Sequence, residues 1–542
     1  MNTLNKLVAL VLALLMATSL GSFAMAEGTG TDVIFKDLEF SWYKNYEWYS
    51  AETWGPGSPD QKEGEKYIID NFGVQINFQD AGGASVQKLA TMLIDNEYPD
   101  VITLDRDQNL QKLISAGAVV PLDPYLDKYP NLRRYLGDDI LNMFRAADGN
   151  LYTFPNWAAP LSNLSGNRGW LVQKKFYDEL GQPELKTFDD LYNYLVQVKE
   201  KFPGIIPLEL DTVQVAAMPY GLPSIFGGMK AGNNPGYLFY QVVPDGDGLK
   251  GMLEDEQVQK TLLYANKLYR EKLSTQDSYT MTTDDLKERI RNGRVAVACL
   301  DDIFDSDIIE AIQALKEEDP TTDMFIIDPI TAEGEKMEDV YTNYTDSLGW
   351  NVSVITKDAK DPEAIFAFLD WWFGNEGQLV SCYGFPGGFY EFGDYTPEGY
   401  PVTMNDSFFE ATSEEIDSYW LDTNWVGNTS FVDNMAKYIF EATGKGQQLK
   451  IDQFNYAWNH SVNITELANA VPDFDTAEGI LYQTIDHIYA QAIPEILAAD
   501  SEEACQAAID KYIVELNNAG LQELLAWQTG VMQANKVKLG LN

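Results

Sequence analysis

The sequence predicts an α/β chain of two doubly wound lobes, on three observations. Short β-branched runs alternate with helical periodicity from residue 38 onward, the pattern of a mostly parallel sheet flanked by helices. The 542 residues, 45% hydrophobic and 22% charged, exceed what one core commonly serves, so two lobes are expected. Between long α/β runs lies an irregular stretch at 148–191, opened by the turn signal Asp148-Gly149-Asn150 and interrupted by Pro155. It reads as a crossover between the lobes. Clefts between domains hold small ligands, so this stretch is expected to be hinge and site at once.

The start of the chain points to a compartment. Lys6, the apolar run 7–16 and the small-residue ending Ala24-Met25-Ala26 form a secretory signal at 1–26, cut after Ala26. The mature chain is expected to be secreted, periplasmic or at the cell surface, and soluble after cleavage. The run at 7–16 falls short of the about 20 apolar residues a spanning helix needs, and no later run is longer. No cysteine stands near the cut, so no lipid-anchor cysteine is seen. A net charge of −45 repels nucleic acid and anionic membranes, which excludes nucleic-acid partners. Cys299, Cys382 and Cys505 are too few for a disulfide framework, although one pair among them is allowed.

Taken in order, strands are expected at 38–43, 74–78 and 99–104, with helices at 61–71, 85–95 and 109–116. The loop 45–59 carries Trp48 and Trp54 and is expected to face the ligand. In doubly wound sheets ligands sit outside the carboxyl ends of strands, which brings Trp42, Asp80, Asp105 and Arg106 to one edge. A strand at 151–154 leads into Asn156 and Trp157, and helices follow at 188–202 and 255–273. The strand 294–300 ends in Asp301 and Asp302; another spans 324–327, and the polar stretch 331–339 reads as the return crossing. After a strand at 350–355 and a helix at 362–373, amphipathic helices are expected at 480–498 and 504–526, the first kinked or divided by Pro494. These crossings assign 31–155 and 335–395 to the first lobe, and 156–334 and 396–542 to the second.

Motifs spread along the mature chain carry a resemblance. They are Tyr98-Pro99-Asp100-Val101-Ile102, Ala116-Gly117-Ala118-Val119-Val120-Pro121-Leu122-Asp123, Asp148-Gly149-Asn150-Leu151-Tyr152, and Phe176-Tyr177-Asp178-Glu179-Leu180-Gly181 leading to Thr187-Phe188-Asp189-Asp190-Leu191. Ala265-Asn266-Lys267-Leu268-Tyr269 and Tyr383-Gly384-Phe385 follow. In this order the chain resembles the extracellular solute-binding proteins of ABC importers, specifically the sugar-binding group, family 1. The resemblance implies a periplasmic-binding-protein-like fold, two α/β lobes joined by a multi-crossing hinge and closing over a ligand. It also implies a carbohydrate ligand, a membrane permease of an ABC transporter as partner, a monomer and no catalysis. The chain departs from Gram-positive relatives in lacking the lipid-modified cysteine.

The chemistry of sugar capture supports the same expectation independently. A sugar offers apolar C–H faces and a rim of hydroxyls, so its site needs aromatic platforms ringed by carboxylates, amides and Arg. Twelve Trp, 30 Tyr and 26 Phe make up 13% of the chain. Trp54, Trp157, Trp170, Trp350 and Trp425 stand beside polar residues and are candidate platforms, together with Trp42; for any one of them, packing into the core is as good an account. Asp105, Arg106, Asn156, Arg168, Asp301 and Asp302 are candidate hydroxyl partners. Truncating Trp157 or Trp170 is expected to weaken sugar binding about tenfold with folding intact.

Other chemistries fit less well. Gly246-Asp247-Gly248-Leu249-Lys250-Gly251 matches a dinucleotide fingerprint, but Asp245 and Asp247 would repel a pyrophosphate, so a hairpin turn is expected there. Asp105-Arg106-Asp107-Gln108-Asn109 begins like a calcium loop, yet Leu110 stands where the turn glycine is required. His460 and His487 are too far apart in sequence for a zinc pattern, so neither metal nor cofactor is expected. The rival classes are a secreted glycoside hydrolase and a binding protein for peptides or other polar nutrients; incubation with oligosaccharides separates them.

Overall fold

The computed structural model describes residues 33–541 apart from 56–57, 59–60, 163, 165, 211–213, 216–217, 220–224, 226, 231–234, 278–280, 301, 304–305, 392–394, 397, 412–414, 416–417, 422–424, 444–451, 453–454, 457–458 and 474. The expected signal at 1–26 lies outside the described residues. The strands of the two main sheets, numbered in chain order, are β1 (Glu39–Lys44), β2 (Gln75–Gln79), β3 (Val101–Asp105), β4 (Thr153–Asn156), β5 (Gly169–Gln173), β6 (Ile206–Leu210), β7 (Val295–Leu300), β8 (Met324–Ile327) and β9 (Asn351–Ile355). The chain divides into two compact units. Unit 1 takes the described residues of Met1–Tyr135, Arg145–Trp157 and Trp350–Met435; unit 2 takes Leu136–Phe144, Ala158–Gly349 and Ala436–Asn542.

Unit 1 is built on a five-stranded sheet in the order β2-β1-β3-β9-β4. The first three strands are parallel, as their β-α-β-α spacing predicts, and β9 runs antiparallel to both β3 and β4. Its register sets Asn351 opposite Asp105 on one side and Asn156 on the other. Phe154 of β4 meets Phe366 and Phe373 of the helix Pro362–Phe373 at ring distances of 5.9 and 5.7 Å. That helix starts where the sequence marks it, with Pro362 in its first turn and Asp361 accepting the amide of Ala364.

Unit 2 holds a four-stranded sheet in the order β8-β5-β7-β6, in which only β6 and β7 are parallel. The expectation of mostly parallel sheets is therefore corrected to mixed ones. All six residues of β7 are buried, consistent with its apolar run Val295-Ala296-Val297-Ala298-Cys299-Leu300. The helix Phe188–Lys201 opens on a capping box between Thr187 and Asp190 and buries Leu191, Tyr194, Leu195 and Val198. Gly246-Asp247 turns a hairpin between the antiparallel strands Val242–Asp245 and Gly248–Gly251, as the acidic flanks predict.

The helix Ala477–Leu497 contains Pro494 and is continuous, so it is not divided there. The last third departs from expectation at one point. The next helical run is two helices, Glu502–Asn518 and Leu521–Lys538, parted at Gly520, whose φ of 100° a side-chain-bearing residue rarely adopts. Cys299, Cys382 and Cys505 are buried thiols, and no disulfide joins them among the described residues. Burial pushes the Cys505 thiol up to about 11. Among the described residues no helix is long and apolar enough to cross a membrane.

Residues 335–349 stay with unit 2 because Asn343–Thr345 pairs parallel with Ser461–Asn463. Residues 396–435 belong to unit 1, where the Tyr400 ring packs 5.2 Å from Phe431 and Gly427 bonds to the chain at Asn156 and Trp157.

One buried acid of unit 1 makes stability depend on pH. Asp370 accepts the amides of Asn131 (3.1 Å) and Leu132 (2.8 Å), but burial outweighs them and pushes its pKa up to about 6. A folded-state value above the unfolded one means that the group costs stability above pH 6, and that the cost is relieved as pH falls from 6 towards 4. Denaturant titrations of wild type and Asp370→Asn should thus differ by about 1 kcal/mol more in favour of wild type at pH 5 than at pH 7. An equal difference at both values would contradict this.

Candidate functional site

The carboxyl-end edge of the unit 1 sheet carries an aromatic face. Just past the end of β1, Tyr46 and Trp48 stack with ring centroids 5.1 Å apart and planes 29° apart. Trp48 also stacks on Trp425 at 5.9 Å and 12°, and Tyr46 on Trp425 at 5.9 Å and 28°. Trp350, immediately before β9, packs 5.6 Å from Tyr46 and 6.5 Å from Trp425. Burial separates these rings by role. Tyr46 and Trp425 are 7% and 1% exposed, whereas Trp48 and Trp350 keep 64% and 40% of their surface open. Two indoles therefore offer apolar surface to solvent above a buried aromatic floor.

Polar groups border the face. The Tyr46 hydroxyl donates to Asp105 Oδ1 at 3.0 Å. Burial, with the negative charge of Asp105 second, holds that hydroxyl far above the usual tyrosine range, so it remains a donor. The Asp105 carboxyl is raised by crowding against protein, although its residue is open to solvent on one side; the Tyr46 hydrogen bond opposes the shift, Asp107 adds to it, and Arg106 opposes it. Asp107 caps the helix Gln108–Ser115 by accepting the amide of Asn109, so the Asp105-Arg106-Asp107 run is a helix entry.

The segment carrying Trp425 is tied down by buried amides. Asn156, fully buried at the end of β4, accepts the amide of Gly427 on Oδ1. Gln378 donates to the Val426 carbonyl at 2.9 Å and accepts the Asn428 amide at 3.1 Å. Trp157 holds its own amide on the Gly427 carbonyl at 3.0 Å while its backbone takes a φ of 55°, the left-handed region that a tryptophan seldom enters. Such a conformation persists only where the surroundings over-determine it.

Unit 2 presents a different face at the edge where β7 ends and β5 begins. Arg168 is 6% exposed and lies with its guanidinium 4.8 Å from the Phe239 ring and 4.9 Å from the Tyr344 ring. Its backbone exchanges two hydrogen bonds with the Asn343 side chain, at 2.7 and 3.0 Å. A Cβ on Gly166 would stand 2.5 Å from Asn343, and one on Gly236 would stand 2.7 Å from Tyr344, so both glycines allow the close approach. Asp302 accepts from Asn167 at 3.3 Å.

The candidates thus divide. Asp105, Asn156, Trp350 and Trp425 meet at the unit 1 face, Arg106 follows Asp105 in the chain with its charge acting on that carboxyl, and Trp157 is tied by its backbone to Gly427 at the border. Arg168 and Asp302 are on unit 2. Asp301 lies outside the described residues. Three expectations need correction. Trp42 is fully buried, its indole N–H on Thr103 at 2.7 Å and its ring 5.7 Å from Phe78. Trp170 is fully buried inside the unit 2 core, because every residue of β5 is covered. Trp54 turns toward Phe78 and Trp372 and donates to the Val74 carbonyl at 3.0 Å, away from the aromatic face. Asp80 is spent on the amides of Ala51 and Gly82. Tyr46 and Trp48 were not among the expected site residues, and neither were Phe239 and Tyr344. The loop at 45–59 did signal the first pair.

An exposed aromatic face bordered by fixed polar groups, on a mixed α/β chain of two units, suits a binding protein. The sequence profile of the bacterial extracellular solute-binding protein family matches residues 56–379, and the chain belongs to that family. It is 23% identical over 506 residues to the lipoprotein LipO of Bacillus subtilis (strain 168), covering 90% of this chain and 91% of LipO. Among solved structures it is similar to the alginate-binding protein AlgQ2, with a TM-score of 0.63 and 16% identity over 92% of this chain and 98% of that one. The solute-binding protein FusA of Streptococcus pneumoniae in complex with kestose gives 0.63 and 15% over 92% and 99%. At these identities the likeness is one of fold.

Proposed function

We propose that the chain is an exported binding protein that captures an oligosaccharide in a cleft between its lobes and delivers it to the permease of an ABC importer. The observation that carries this reading is the pair of open indoles, Trp48 and Trp350, over Tyr46 and Trp425. Flat apolar surface of this kind suits the C–H faces of sugar rings, and Asp105 and Arg106 at its border suit the hydroxyls. Trp157 and Asn156 shape the border. On the other lobe Arg168 and Asp302 supply further polar partners, engaged when closure adds that lobe's contacts to a sugar already held. Structural neighbours named for alginate and in complex with kestose support a carbohydrate ligand. The signal at 1–26 exports the chain, which acts as a monomer without catalysis and without a cofactor.

A thermal-shift screen of the mature chain against an oligosaccharide panel tests this. At least one oligosaccharide should raise the melting temperature and be recovered intact by mass spectrometry. Cleaved products would make the chain a glycoside hydrolase, which works through two carboxylates about 5 to 10 Å apart across the scissile bond. No shift with any member would end the carbohydrate reading.

A further inference from the structure

Lys44 is the last residue of β1 and is fully buried. Its Nζ lies 3.6 Å from the ring centroid of Trp425, 4.1 Å from Trp42, 4.7 Å from Phe78 and 5.7 Å from Tyr49. These rings come from four places in the chain: the middle of β1, the end of β2, the loop after β1, and a segment nearly four hundred residues further on. A lysine buried among aromatic faces gains cation–π attraction from each, and the attraction grows as water is excluded. The ammonium approaches Trp425 most closely, and Trp425 is the ring on which Tyr46, Trp48 and Trp350 all pack. The backbone beside Trp425 is held by Asn156 and Gln378. Those bonds fix the chain but leave the indole plane to be set by what lies against it.

We propose that Lys44 is the positioning residue of the unit 1 face. Its ammonium fixes the plane of Trp425, and through that plane the open faces of Trp48 and Trp350. This rests on the reading of the face as the ligand platform, and it goes further by assigning the geometry of the platform to a cation that never meets the ligand. It also accounts for a buried lysine at the end of a strand whose other buried residues, Phe40, Trp42 and Tyr43, are aromatic. Methionine is close to lysine in length and lacks the charge, so Lys44→Met isolates the electrostatic part. Arginine keeps a cation that stacks on aromatic rings.

Stacked indoles couple their ultraviolet transitions into a paired positive and negative circular-dichroism signal, which reads the Trp48–Trp425 stack without any ligand. Trp48→Phe identifies that signal by difference from wild type. In the full mature chain, Lys44→Met should lose at least half of it and weaken binding of the oligosaccharide found by the thermal-shift screen tenfold or more, with a cooperative melt retained. Lys44→Arg should keep both within twofold. A Lys44→Met chain with signal and affinity within twofold of wild type would overturn the proposal. So would loss of its cooperative melt, which would make Lys44 a residue of the fold rather than of the platform. If no oligosaccharide binds the wild type, the carbohydrate reading fails, while the dichroism comparison still decides whether Lys44 sets the stack.

Discussion

Replacing Trp48 with alanine should weaken oligosaccharide binding at least tenfold by calorimetry, the loss expected when an aromatic anchor of an interface is truncated. The same change should barely touch stability. Trp48 is 64% exposed, so little buried surface is forfeited, and surface substitutions commonly change stability by no more than about 0.5 kcal/mol. Trp350→Ala should act in the same direction, because its open face adjoins the same Tyr46. Trp54→Ala is the informative control. Its indole packs against Phe78 and Trp372 and bonds to Val74, so it should lower stability and leave affinity alone. Unchanged affinity in both Trp48→Ala and Trp350→Ala would remove the face from the binding site.

Trp170→Ala should have the largest effect on stability, and the effect should not be specific to binding. The side chain is fully buried on β5 in the unit 2 core, and emptying such a site costs about 3 to 5 kcal/mol. A urea titration should show the loss. Trp170→Phe should cost much less, because the indole N–H meets no hydrogen-bond partner among the described residues, and removing an unsatisfied buried donor relieves part of the volume penalty. Comparable losses for Ala and Phe would mean that the N–H is satisfied after all.

Where local patterns decide structure, the sequence was legible. The helix Ser85–Asp95, the strand Met324–Ile327 and the helix Pro362–Phe373 stand where their periodicity and caps place them. Asp361-Pro362 and Thr187 with Asp190 are local signals whose physics does not depend on the rest of the chain. Strand direction was less legible. β9 enters the unit 1 sheet antiparallel after a long absence, and nothing in Asn351-Val352-Ser353-Val354-Ile355 distinguishes that from parallel entry. Pro494 left a kink or a break open from composition alone, and the helix runs on unbroken because a proline near its end removes only one donor.

The site was legible in part, for a reason of burial. Trp42, Trp170 and Trp350 all sit in or beside β-strands, and alternation along an aromatic-rich strand does not say which face is covered. A fully covered sheet buries both faces, as β5 shows. Trp48 could have been preferred on position alone, since it lies in the loop just after a strand's carboxyl end, where open α/β sheets bind ligands. Lys44 could not. Its partners span β1, β2, the following loop and Trp425, and only the fold brings them together.

A binding protein of the kind proposed holds its carbohydrate and releases it unchanged. Calorimetric titration of the mature chain with the oligosaccharide giving the largest thermal shift, followed by mass analysis of the recovered sugar, tests it most directly. The expected result is one binding event per chain, abolished or weakened at least tenfold in Trp48→Ala, and a sugar of unchanged mass. Heat that continues without saturation, with shortened sugar recovered, would contradict it.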